Sequence, residues 1–282
     1  MRLVALALLL ASLRGDAPGP EVSALVAEGD RHFAARASNV RGDRCDPAEA
    51  NAAIASYRRA VAIDPDSFAA RTGMLRSLFF RGSFCGESGA IQTRTFEAAK
   101  RLAEESQARL ESRVGAKLRR AAPGRFRAVP GAPALLFWCG IAWGQWSLDH
   151  KLAAAWQGAG TRIRELAETA VALAPDYEQG APYIVLGRLH AESPKIPLIT
   201  GFVSRKKGLE HLRRAHALSP GNTVALWFLA DAILALEPGS RAEAVRLLRV
   251  CAAAATRPEY LVEDRHYAGL ARERLRALGE TP

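Results

Sequence analysis

Apolar positions recur along the chain in segments that close in the same way. The stretches Tyr57 to Pro65, Ala167 to Pro175 and Leu212 to Pro220 each place an alanine (Ala60, Ala170, Ala215) five residues before the proline. Each also places a larger or apolar residue eight before it. Val250 to Pro258 keeps the spacing with Ala253, and a degenerate copy has Phe96 and Ala99, with Glu104 at the proline position. A small alanine lets neighbouring helices approach closely, and the proline stops one helix and starts the next.

Recurrence of one segment type points to a repeat architecture. The spacing resembles the second helix of the tetratricopeptide repeat (TPR). The alternative is an unrelated helical bundle whose helices end at proline. The pattern predicts an all-α chain: an α-solenoid of about five TPR-like helix pairs plus a C-terminal capping helix. The pairs are 21–37 with 47–63, 67–81 with 92–118, 133–157 with 160–174, 179–191 with 203–218, and 222–236 with 240–255. The closing helix, 259–278, carries Tyr260, Leu261, Tyr267, Leu270, Leu275 and Leu278 on one side and arginines on the other, as a cap with one wet face should. The inner loops of the pairs, such as 38–46, 82–91 and 192–202, are longer than the repeat requires, and such loops are where function concentrates.

One stretch breaks the amphipathic rule. Residues 128–148 carry no charge, and within them Leu135 to Trp146 reads LLFWCGIAWGQW. With Trp156, four of the five tryptophans fall in this region. At ~100° per residue, Trp146 lies about 80° and Trp143 about 140° from Trp138, with Phe137 on the other side. A helix apolar nearly all round is buried on all sides. Three placements fit: a central core helix, a core helix that also lines an apolar cavity or pore, and a membrane span. Pro130, Pro133, two glycines, Gln145 and the mid-run tryptophans argue against the span.

The FWCGIAWGQW run (Phe137 to Trp146) resembles the aromatic helix of the TRAP transporter T-component (TatT-like) proteins. Leu186-Gly187 leading into a loop with Pro194, and Gly201 ahead of the helix that ends Ala215 to Pro220, also resemble that family. The resemblance is good over roughly 134–235. Two positions depart from it: Phe202 stands where a second loop glycine is common, and no lipobox cysteine is present. The resemblance implies a periplasmic helical-repeat protein that assembles as a homotrimer. Its partner would be the periplasmic substrate-binding protein of a TRAP-type transporter. An apolar channel could carry a hydrophobic small molecule, with Phe137, Trp138, Trp143 and Trp146 as its wall. Gly144 would permit close packing there, and Pro194, Gly201 and Phe202 would shape the nearby mouth.

The remaining text sets the compartment and narrows the chemistry. Met1-Arg2 followed by eleven apolar residues, Leu3 to Leu13, fits an export signal and is too short to span a bilayer. We therefore expect residues 1–17 to be a signal peptide and 18–282 a single domain. We expect an exported, periplasmic chain without a lipid anchor, since Leu13 stands where a lipidated cysteine would be. Cys45 and Cys85 both sit in inner loops of consecutive pairs, and such loops stack side by side in a solenoid, so a disulfide between them is expected in an oxidising compartment. Cys139 and Cys251 lie in apolar helical text, as buried thiols do.

With 49% hydrophobic and 24% charged residues in 282, the chain is neither disordered nor a multi-span membrane protein. Six scattered histidines, no cysteine spacing for zinc and no nucleophile, phosphate-loop or metalloprotease motif leave no metal, cofactor or enzyme signature. The formal charge of +10 resolves into solvated helix faces and two clusters, Arg119-Arg120 with Arg125 and Arg127, and Arg205-Lys206-Lys207 with Arg213-Arg214. These can meet an acidic partner or an anionic membrane surface. Without aromatic interleaving or a reading helix, nucleic acid is not expected as a partner.

Overall fold

Local chemistry sets the helix ends in the computed structural model, which describes residues 19–86, 89–197 and 199–282. Helix α1 (Pro20–Ala34) opens on proline, whose missing N–H is harmless in a first turn. Helix α2 (Ala48–Ile63) stops before Pro65, and α3 (Phe68–Phe84) restarts on Ser67, whose hydroxyl accepts from the Ala70 amide. Helix α4 (Ala90–Val114) ends on Gly115 in the left-handed conformation, where a side chain would be strained. Next come α5 (Ala132–Asp149), the short α6 (Lys151–Trp156), α7 (Ala159–Leu173) and α8 (Tyr177–Glu192). Then follow α9 (Arg205–Leu218), α10 (Thr223–Leu236), capped by the Asn222 side chain, α11 (Arg241–Ala252) and α12 (Leu261–Ala277).

Consecutive helices pack in succession, giving five antiparallel pairs and a closing helix: an all-α solenoid. Small residues set how closely the helices approach. A Cβ added at Gly29 of α1 or Gly73 of α3 would stand 2.6 or 2.3 Å from the Tyr57 ring, so that ring is gripped between the two first helices. Gly187 of α8 does the same for Leu212 of α9, at 2.5 Å. Three clusters of buried side chains run along the solenoid, one around Val22, Tyr57 and Phe80, a central one around α5, and one around Leu226, Leu229 and Leu248.

The structure departs from the sequence expectation in three places. The predicted 133–157 helix breaks at His150 into α5 and α6. Helix α8 begins with three consecutive left-handed residues, Glu178, Gln179 and Gly180, so its regular part starts after them. And α12 does more than cap the last pair, because its first turns also pack on the first pair. Val262 joins the cluster of Val22 and Leu25, Arg36 bonds both the Glu263 carboxylate (3.1 Å) and the Glu259 carbonyl, and His266 pairs with Asp43 at 2.8 Å. The two ends of the solenoid therefore meet.

No helix among the described residues is long and apolar enough to cross a membrane, which sets aside the spanning placement for α5. The expected signal peptide, residues 1–17, lies outside the described residues.

Candidate functional site

Joining the ends of the solenoid leaves a cavity of about 1140 Å³ on its inner side. Its wall has a simple rule of construction. The first helix of every pair, α1, α3, α5, α8 and α10, contributes, as do α6, the first turn of α7, and α12, whereas α2, α4, α9 and α11 contribute nothing. The floor is apolar and aromatic. Phe79, Phe137 and Trp138 meet at ring separations of 5.6 and 5.0 Å, and Tyr177 closes on Phe137 at 5.4 Å. The Trp138 indole N–H donates to the Tyr177 hydroxyl at 3.1 Å, which satisfies the one polar atom of that ring. Burial pushes the Tyr177 phenol up to about 12, so it stays neutral and able to donate.

Toward the joined ends the wall becomes polar but internally paired. Tyr260 donates to the Glu178 carboxylate and Arg257 to the Gln179 side-chain carbonyl, both at 2.6 Å. Arg257 is itself fixed by Asp264, a fully buried carboxylate that also accepts from the Thr223 hydroxyl at 2.8 Å. These bonds hold Glu178 and Gln179 in left-handed geometry, a conformation that costs on the order of 1–3 kcal/mol per residue and persists only when its surroundings enforce it. Arg188 is likewise paired with Glu192, and Arg76 with Asp30. Acidic and basic groups on this wall are thus matched.

The structure divides the residues singled out in the sequence. Phe137, Trp138, Gly144 and Pro194 stand on the cavity wall. A Cβ at Gly144 would meet nothing within 4 Å, so this glycine leaves space rather than permitting close packing. Trp143 and Trp146 lie on the opposite side of α5. They meet edge to face at 5.6 Å, and the Lys100 ammonium of α4 sits 4.7 and 4.9 Å from their ring centres. The Arg162 guanidinium of α7 lies 5.1 Å from the Trp143 ring centre and His150 stacks on Trp146, so the pair joins α4, α5 and α7.

Gly201 and Phe202 are off the cavity wall as well. Phe202 pins its loop, with Arg164 of α7 over its ring at 4.1 Å and its edge on His190 of α8. Thr200, which does border the cavity, bonds the Pro194 carbonyl and accepts from the Ile196 amide. Sequence reasoning passed over Arg36, Phe79 and Glu178, and placed Tyr260 only on the closing helix. The left-handed pair inside α8 has no local signal, because neither residue is glycine.

Cys45 and Cys85 stand side by side as thiols, 3.3 Å between sulfurs, both buried. The hydrogen bond from Cys85 holds the Cys45 thiol below its usual range, whereas burial pushes Cys139 and Cys251 up to about 12. His190 is buried against His211, and its Nδ1 accepts the Ser204 amide at 3.2 Å. Burial, followed by the neighbouring His211, Lys207 and Arg164 charges, pushes it down to about 4. Among the described residues, no group of three or more His, Cys, Asp or Glu side chains is gathered as a metal site.

No family model matches the chain, and no curated protein is significantly similar to it. Two solved structures resemble it in outline. One, described as the crystal structure of MamA protein, is 14% identical, with a TM-score of 0.38 over 92% of this chain and 96% of that one. The other, the yeast Tom70, is 12% identical, with a TM-score of 0.29 over 94% of this chain and 66% of that one. Similarity at this level carries no functional argument.

Proposed function

We propose that this protein is an exported helical-repeat interaction protein that holds a hydrophobic small molecule inside its solenoid and passes it to a periplasmic substrate-binding protein of a TRAP-type transport system. The observation that carries the ligand reading is the cavity. Its volume matches that of sites that enclose a whole small molecule, and its floor of Phe79, Phe137, Trp138 and Ile141 offers an apolar guest nothing but carbon surface. Matched charges on the polar side of the wall favour a guest that is neutral, or apolar with a small polar end. The transport association and the homotrimer rest on the sequence resemblance around Phe137 to Trp146. The export reading adds that Cys45 and Cys85 are oxidised to a disulfide in the mature protein, a pairing that their adjacency supports.

Native mass spectrometry of gently extracted protein tests the reading. The expected result is a trimer carrying an apolar co-purified mass, with that mass absent from a folded Gly144→Leu variant. A ligand-free monomer that takes up no apolar probe would overturn it.

A further inference from the structure

The two most exposed large apolar side chains among the described residues, Trp156 and Leu152, stand at one edge of the cavity with three further exposed apolar residues. Leu152 and Trp156 stand four apart on α6, hence on one face, and are 81% and 90% exposed. Leu148, at the end of α5, precedes them, and Ile196 and Ile199 project from the loop between α8 and α9. Leu148, Leu152, Ile196 and Ile199 all border the same opening. The two elements are neighbours, because a Cβ added at Gly160, just past α6, would stand 3.3 Å from the Thr200 methyl and 3.7 Å from the Phe202 ring of that loop.

Basic residues flank this apolar lip. Lys151 precedes Leu152, Lys195 precedes Ile196, and the loop runs directly into exposed Arg205, Lys206 and Lys207. The acidic groups beside them are fewer: Asp149, Glu97, which faces His150 at 3.4 Å, Glu192, which is held by Arg188, and Glu210, which faces Lys206 at 4.0 Å.

We propose that this lip docks the protein onto an anionic lipid bilayer, with Leu152, Trp156, Ile196 and Ile199 entering the headgroup–acyl boundary and the lysines and Arg205 contacting lipid phosphates. Contiguous exposed apolar residues mark an interaction surface rather than a tolerated accident. Tryptophan and leucine that stand almost clear of their own protein, beside lysine, suit the membrane interface, where an indole is favoured and ammonium groups reach the headgroups. The excess of positive charge supplies the complementarity to an anionic leaflet. Docking needs no ligand in the cavity and therefore stands or falls separately from the function proposed above. Its consequence is that the cavity edge faces the lipid.

The test is flotation of the full chain with vesicles of phosphatidylethanolamine and phosphatidylglycerol, compared with phosphatidylcholine alone, and with quenching of tryptophan emission by brominated acyl chains. Tryptophan is absent before residue 138, so quenching cannot arise from the apolar N-terminal run. We expect binding to the anionic vesicles that weakens with salt, and quenching that is largely lost in Trp156→Phe. We expect a Leu152→Ser, Trp156→Ser double variant to partition about tenfold more weakly while melting at the wild-type temperature. Absence of flotation, absence of quenching, or unchanged partitioning of the double variant would each overturn the proposal. So would Trp156 being shielded from an aqueous quencher without vesicles and released by the double substitution, since the lip would then be a protein–protein interface.

Discussion

Trp138 and Trp143 stand five residues apart on α5 and meet different surroundings. Trp138 turns to the cavity, shares its ring contacts with Phe79 and Phe137 and satisfies its indole N–H on Tyr177. Trp143 turns the other way, fully buried against Lys100 of α4 and Arg162 of α7. One side of the helix borders space and the other joins three helices. Residue type alone does not distinguish the two jobs, because both sides use tryptophan and both count as buried. What distinguishes them is whether the opposing atoms belong to the protein.

The sharpest way to break this comparison is truncation. Replacing Trp143 with alanine should lower the unfolding free energy by roughly 3–5 kcal/mol, read by denaturant titration, because a large void opens inside packed structure. Replacing Trp138 with alanine should cost less, about 2 kcal/mol, because the removed ring borders an existing cavity, and it should weaken uptake of an apolar fluorescent probe. Equal losses for the two would sink the division of α5 into two faces.

Acid probes the cavity side from behind α8. His190 has its folded pKa depressed to about 4 by burial, and burial also pulls His211 and His216 down. The folded state thus binds fewer protons than the unfolded chain, whose histidines titrate near 6.5. The histidine contribution should be level above that pH and fall as pH drops from about 6.5 toward 4. The His190→Gln variant should flatten the profile, and a midpoint unmoved between pH 7 and pH 4.5 would contradict the assignment.

Glycine supplies the smallest effect on stability. Gly144→Leu should leave the melting temperature unchanged or raise stability by up to about 1 kcal/mol, through helix propensity, while blocking probe uptake. Gly140 also borders the cavity, but a methyl added there would point at Leu166, 3.7 Å away, so Gly140→Ala should gain similarly and leave uptake intact. If Gly140→Ala abolished uptake as well, the glycines would be acting through helix geometry and not through space.

Much of this architecture is legible in the chain. The alanine-to-proline spacing locates the second helices because close approach and helix termination are local properties. The charge-free run identifies α5 as central for the same reason. The orientation of α5 is not legible, because periodicity reports that a side chain leaves water and says nothing of what faces it. That is why Trp143 and Trp146 read as cavity wall beside Phe137. The break at His150 is hidden by helix-forming residues on both sides, and so is the projection of Leu152 and Trp156 that follows from it. Contact of Arg36 with Glu259 and Glu263 joins positions more than 220 apart, and no nearby residue announces it.

That last contact changes how the molecule should come apart. In an open array each repeat touches only its neighbours, so the outermost helices fray first and at little cost. Here α1 and α12 share one cluster through Val22, Leu25 and Val262, so neither is outermost. Amide hydrogens at the two ends of the solenoid should exchange with solvent together, in a single cooperative opening, and releasing either end should unprotect the other.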